Sequence, residues 1–193
     1  MSSRPESAKT NSMRLPYLGC VVWLTGLSGA GKTTIARSVE ERLNGMGAPV
    51  FVLDGDELRG GLCRDLGYSI ADRHENVRRA AEAAKLLADK GHICVVALIS
   101  PFRMSREMAS GIVGLERFVE VHVATEVTVC EQRDAKGLYA RARAGEIPEF
   151  TGISSPYEPP LTPRLRIDAG AVPAAKAAET ICNVLVAEGW IDG

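Results

Sequence analysis

The sequence predicts an α/β fold of three layers, with helices on both faces of a central parallel sheet. Three observations predict it. Short apolar runs alternate with longer segments whose apolar residues recur at three- and four-residue spacing, the pattern of strands joined by crossover helices. The short runs are continuously apolar, as strands buried on both faces are. The 193 residues are enough to bury roughly 70% of the unfolded surface around one core.

The elements follow in order. Residues 1–18 are polar and are expected to form a flexible N-terminal tail, with one domain over 19–193. Cys20–Thr25 (CVVWLT) is the first buried strand. Lys32–Met46 reads as a helix ended by Gly47 and Pro49. Val50–Leu53 is a second strand leading into Asp54-Gly55-Asp56. Asp72–Lys90 is the clearest helix, with Asp72 as cap, Glu75 at the capping-box position and Gly91 beyond its end. Its apolar stripe is Val77, Ala80, Ala81, Ala84, Leu87 and Ala88. Ile93–Ile99 and Phe118–Val123 are further strands, and Thr125–Arg133 is a short helix capped by Thr125. Lys136–Phe150 is rich in Gly, Arg and Lys and reads poorly as core. Leu165–Ile167 is the last strand and Pro173–Glu188 an alanine-rich closing helix.

Composition excludes several function classes. Lys+Arg total 23 against 24 Asp+Glu, a formal charge of −1, which argues against strong non-specific binding of nucleic acid. No run of about 18 apolar residues predicts a membrane span, and the first residues lack the apolar segment of a secretory signal. A cytoplasmic protein is expected. The five cysteines are scattered, odd in number and without a C-x-x-C pair, so reduced core thiols are expected rather than disulfides or zinc. His74, His92 and His122 are not spaced as metal ligands and are expected to be structural.

Gly26-Leu27-Ser28-Gly29-Ala30-Gly31-Lys32-Thr33 matches G-x-x-x-x-G-K-[ST] between the first strand and the first helix, the context that gives this P-loop motif its meaning. Glycines let the backbone wrap with N–H groups turned inward, and the helix N-terminus adds partial positive charge. Lys32 can reach the β- and γ-phosphates of a nucleoside triphosphate, and the Thr33 hydroxyl can ligate Mg²⁺. A GTPase would carry an Asn-Lys-x-Asp segment, which this chain lacks. Asp134-Ala135-Lys136-Gly137 fits a bare D-x-x-G but follows a predicted helix rather than a strand. A small kinase fits better.

Asp54 and Asp56 lie at the end of the second strand, the edge where doubly wound sheets bind ligands. Carboxylates there can hold Mg²⁺ through water or accept the proton of an attacking hydroxyl; as a plain structural feature, Asp54 caps the next helix. Arg59, one helical turn beyond Asp56, and Arg73 with Asn76 on one helix face offer an anionic acceptor a guanidinium cluster. Arg78 and Arg79 read as surface or salt-bridge residues. Lys136, Arg141 and Arg143, in a stretch that also carries Gly137 and Gly145, read as a cationic lid over phosphates. Tyr68 and Phe150 serve either as stacking faces for a base or as core fillers.

Taken together, these residues resemble one family, the adenylylsulfate kinases (APS kinases). The resemblance runs through VVWLTGLSGAGKTT, LDGD with LRGGLCRDLGY, ADRHENVRRAAEAAKLLADKG, LISPFR, CEQRDAKGLYARARAGEIPEFTGI and PYEPP. It implies a P-loop kinase fold with a mobile lid over about 136–152. The implied reaction is phosphoryl transfer from MgATP to the 3′-hydroxyl of adenosine 5′-phosphosulfate, giving 3′-phosphoadenylyl sulfate and ADP. By position, Gly26 to Thr33 with Thr34 and Arg133 would bind ATP, and Thr33 and Asp56 would hold the metal. Lys32, Asp56 and Asp54 would be catalytic. Asp56, Arg59, Tyr68, Arg73, Asn76, Ile99, Ser100, Lys136, Gly137, Leu138 and Phe150 would bind the acceptor, its adenine lying between Tyr68 and Phe150. A homodimer, with no nucleic acid or membrane partner, is implied as well. The chain departs from the usual pattern at Glu57, Gly60, Tyr68 and Ser154; Glu57 adds a negative charge beside an anionic site. Two other readings are a related small-metabolite kinase and a nucleotide-binding regulatory module without turnover.

Overall fold

The structure, a computed structural model, describes residues 19–134 and 136–192. The expected tail over 1–18 lies outside the described residues. A five-stranded sheet has the order β2-β3-β1-β4-β5, formed by β1 (Cys20–Thr25), β2 (Val50–Asp54), β3 (Ile93–Ala97), β4 (Phe118–Val123) and β5 (Leu165–Ile167). Every pairing is parallel. The helices are α1 (Lys32–Gly45), α2 (Gly55–Gly60), α3 (Ile70–Ala88), α4 (Arg103–Val113), α5 (Val127–Arg133), α6 (Leu138–Arg143) and α7 (Ala174–Ala187).

β1 is buried along its whole length because its alternate residues enter opposite layers. Cys20, Val22 and Leu24 pack with Ile35, Val39 and Leu43 of α1 and with Ile181 and Leu185 of α7. Val21 and Trp23 pack with Val77, Ala80, Ala81 and Ala84 of α3 and with Ala109 and Val113 of α4. The continuous apolar run is therefore two interleaved faces, each serving one layer. β1 sits between β3 and β4, so the chain leaving its C-terminal end enters the crevice where crossovers diverge to opposite sides, the ligand edge of an open α/β sheet.

Several boundaries differ from the sequence expectation. The helix expected to start at Asp72 starts at Ile70: Ser69 is its cap, its side chain accepting from the Asp72 N–H while its hydroxyl donates to Asp72 Oδ2 (2.7 Å). Asp72 is thus the residue that the cap binds, through both its N–H and its carboxylate, rather than the cap. Thr125 does not cap α5; its hydroxyl donates to the Ala30 carbonyl (2.8 Å) and braces the P-loop from β4. Within Lys136–Phe150, which reads poorly as core, Tyr139, Ala142 and Phe150 are buried. All five cysteines are buried and free, and burial pushes the Cys94 thiol up to about 12. No helix among the described residues is long and apolar enough to cross a membrane.

Candidate active site

The P-loop turns out of β1 at Gly26, where a Cβ would come within 2.4 Å of the Val123 carbonyl. Only glycine lets the loop pass β4 that closely. Gly31, at φ +104, starts α1 from a left-handed backbone. Lys32 folds back into the loop, its Nζ donating to the Gly26 carbonyl (2.9 Å) and the Leu27 carbonyl (2.7 Å). Burial lowers its pKa to about 8, against the opposing pull of the Cys130, Asp54 and Asp56 charges.

Asp54 joins the loop to the next strand end. One carboxylate oxygen accepts from the Thr33 hydroxyl (2.7 Å), the other from the Asp56 N–H (2.9 Å). Asp54 therefore caps α2, as its structural reading expected, and also fixes the Thr33 hydroxyl of the loop. Because Thr33 spends its proton on Asp54, its oxygen lone pairs stay available to a hard cation. Asp56 is exposed and pairs with Lys136, whose pKa the carboxylate raises. An all-oxygen donor set of Thr33, Asp54 and Asp56 suits Mg²⁺. No group of three or more His, Cys, Asp or Glu that could hold a metal ion occurs among the described residues.

A cavity of about 530 Å³ adjoins the loop, lined by Gly29, Gly31, Lys32, Thr33, Thr34 and Ile35 on one side and by Arg133, Ala169, Val172, Pro173 and Ala174 on the other. Arg133 spans it, donating to the Ala169 carbonyl (2.6 Å) and lying 3.4 Å from the Gly29 carbonyl. Ala169, Val172, Pro173 and Ala174 escaped the sequence reading because small apolar residues carry no chemical signature. Their one signal is position, just after a parallel strand's C-terminal end.

Three of the acceptor candidates, Arg59, Tyr68 and Arg73, come together. Arg59 stacks its guanidinium on the Tyr68 ring (4.2 Å to the centroid) and donates to the Gly67 carbonyl (2.8 Å). Arg73, 5.6 Å from the same ring, donates to the Tyr68 carbonyl (2.8 Å), the Glu149 carbonyl (2.8 Å) and Thr151 Oγ1 (3.1 Å). Burial lowers the Arg73 pKa, and the nearby Arg59 charge lowers it further. Neither guanidinium has an ion-pair partner among the described residues, whereas Arg37, Arg78, Arg79 and Arg106 all do. The surface reading of Arg78 and Arg79 agrees with their pairing to Glu75. Asn76, on the same face of α3, has a buried Oδ1 with no hydrogen-bond partner, an acceptor that a ligand donor would satisfy.

The segment expected to form a lid touches the loop through Tyr139. The Tyr139 hydroxyl donates to the Ser28 carbonyl (2.9 Å), Leu138 packs on the core and Gly137 begins α6. Phe150 meets Tyr139 edge-on, centroids 5.0 Å apart, while Tyr68 stays exposed; the two rings read as a pair from the sequence have different partners here. Ser100 turns its hydroxyl inward to accept from Trp23 Nε1 (3.1 Å), and the Ile99 carbonyl accepts from Thr25 Oγ1 (2.7 Å). Glu57 points away from the guanidinium cluster and pairs with Arg37 of α1 (2.6 Å). His122 is held down to about 4 mainly by burial, with Arg166 and Arg106 adding to it, and it stacks on Tyr157.

Comparison with known proteins names the family. The adenylylsulphate kinase family matches residues 18–168. The chain belongs to the adenylylsulfate kinase family. It is 49% identical to the adenylyl-sulfate kinase of Shewanella amazonensis over 175 residues, covering 91% of this chain and 88% of that protein. It is 49% identical to the adenylyl-sulfate kinase of Prochlorococcus marinus over 166 residues, covering 86% and 83%. The structure of the Mycobacterium tuberculosis APS kinase CysC in complex with AMPPNP and APS superposes with a TM-score of 0.84 at 47% identity, covering 88% of this chain and 99% of that one. This adenylylsulfate kinase family member is thus a kinase with a P-loop on a parallel sheet and two arginines without ion-pair partners among the described residues.

Proposed function

We propose that this chain transfers the γ-phosphoryl group of MgATP to the 3′-hydroxyl of adenosine 5′-phosphosulfate, giving 3′-phosphoadenylyl sulfate and ADP. The observation that carries this is the convergence of Arg59 and Arg73, without carboxylate partners, beside the orphaned Asn76 Oδ1. Such a site is built for an anion bearing further hydrogen-bond donors.

ATP would lie with its phosphates on Gly26 to Thr34 and its base in the cavity between Arg133 and Pro173. Lys32 would leave the Gly26 and Leu27 carbonyls for the phosphate oxygens, stabilising charge that develops during transfer. Thr33, with Asp56 through water, would hold Mg²⁺, which when bound neutralises charge between the β- and γ-phosphates. Asp54 keeps the Thr33 hydroxyl oriented. Arg59, Arg73 and Asn76 would orient the acceptor, with Ile99 and Ser100 as backbone floor and the adenine between Tyr68 and Phe150. Asp56, released from Lys136, would accept the 3′-hydroxyl proton as the new O–P bond forms and the bond to ADP breaks. Lys136, Gly137 and Leu138 would close with the lid, over about 136–152 of a single catalytic unit spanning 19–193. Glu57 is neutralised by Arg37 and would leave acceptor choice unchanged. The reaction belongs to a reducing cytoplasm, which the five free thiols suit, and we place it in a homodimer on the family resemblance.

The test is ADP release by purified protein and MgATP across a panel of hydroxylated acceptors. Turnover confined to adenosine phosphosulfate is expected. Turnover confined to another acceptor, or ATP binding without turnover on any, would reject the proposal.

A further inference from the structure

Pro156-Tyr157-Glu158-Pro159, beyond the lid, has no part in the binding or transfer described above, yet it is tied closely to the start of α4. The Glu158 N–H donates to the Pro101 carbonyl (2.8 Å). The Arg103 N–H donates to Glu158 Oε2 (2.8 Å), and Arg103 Nε to the Pro159 carbonyl (2.9 Å). The Tyr157 hydroxyl lies 3.0 Å from Thr25 Oγ1. Arg106 closes the group while only 3% exposed. Its guanidinium donates to Glu120 Oε1 (2.8 Å), the Ser100 carbonyl (2.7 Å) and the Glu158 carbonyl (2.8 Å).

Two of these contacts bear on the acceptor site. Ser100 has φ 39, a left-handed backbone that a non-glycine residue keeps only where its surroundings over-determine it. Here they do so from both sides, through Trp23 on the hydroxyl and Arg106 on the carbonyl. The same guanidinium holds the chain that returns from the lid, a few residues after the Glu149 carbonyl and Thr151 hydroxyl that position Arg73. One rigid planar fork therefore joins the floor of the acceptor site to the anchor of its lid. An ammonium could not span those three acceptors.

We infer that Arg106 is a positioning residue for the acceptor. It sets Ser100 and the Pro156–Pro159 strap in one register, so that Arg73 and the lid meet the sulfate-bearing nucleotide in place. The inference rests on the functional reading above. Arg106 has no hydrogen bond to the phosphate loop or to the lining of the ATP cavity, so its effect falls on one substrate.

The experiment is Arg106→Lys, assayed with both substrates varied and followed by amide hydrogen exchange. The KM for adenosine phosphosulfate is expected to rise about tenfold or more, the scale that small misplacements of a reacting group produce. The KM for ATP is expected to stay within about twofold, with faster exchange at the Glu158 N–H. A merely structural residue would lower the melting temperature and scale kcat with the folded fraction, leaving both KM values in place; that result overturns the inference. If the lysine variant does not fold, Tyr157→Phe decides, since it removes one strap bond without opening a cavity: a raised acceptor KM alone supports the inference, and an unchanged one overturns it. Wild-type protein that does not turn over adenosine phosphosulfate overturns the functional reading instead. Glu158 exchange in Arg106→Lys then decides the strap independently, with lost protection supporting it and retained protection overturning it.

Discussion

Lys32 is the residue on which the proposed nucleotide site depends most. Its ammonium donates to the Gly26 and Leu27 carbonyls in a buried position, and burial brings its pKa down to about 8. Phosphate oxygens favour the protonated form, so bound nucleotide raises that pKa. Above about pH 8 the free protein has lost the proton and must take one up to bind. ATP affinity is therefore expected to fall by up to about tenfold per pH unit above 8. Calorimetry in buffers of different ionisation enthalpy should report proton uptake near pH 8.5 and almost none near pH 6.5; uptake independent of pH would reject this role for Lys32. Glu57 gives a residue-scale lesson about sequence reading. Its charge was visible beside an anionic site, but its partner Arg37 sits one helix away, and no spacing rule links the two.

The elements differ in how plainly they can be read. α3 carries its alanine stripe at helical spacing, and its existence was evident, but its start was not. Asp72 with Glu75 and Ser69 with Asp72 are both capping-box patterns, and the geometry selects the second. Ser69→Ala should therefore cost about 1 kcal/mol of stability by denaturant unfolding, while Glu75→Ala should not act through the cap. A Ser69→Ala variant as stable as the parent would show the cap to be idle. α4 escaped the reading although Met108, Ala109, Ile112 and Val113 recur at helical spacing and pack on the core, because the rest of its buried face, Ser105 and Arg106, is polar. The polar half is the part that grips Ser100 and Glu158. α6 escaped for the opposite reason: arginines and glycines mask the burial of Tyr139 and Ala142.

At the scale of the molecule, alternating strands and helices were enough for a parallel sheet covered on both faces. The strand order was not readable, because a continuously apolar strand carries no mark of its neighbours. The phosphate loop could be found because its motif is local and made of backbone. Arg59, Arg73 and Asn76 could be named as candidates, but the Glu149 and Thr151 contacts that hold Arg73 come from a distant stretch of the chain and could not be read. In the proposed function, a phosphate loop and a guanidinium pair hold two nucleotides for one transfer between them. The most direct measurement is phosphorus NMR of the products formed from MgATP and adenosine phosphosulfate. A new phosphomonoester on the ribose 3′-oxygen, equal in amount to ADP and with the sulfate retained, is the predicted result. A phosphomonoester on another oxygen, or ADP accompanied only by inorganic phosphate, would contradict it.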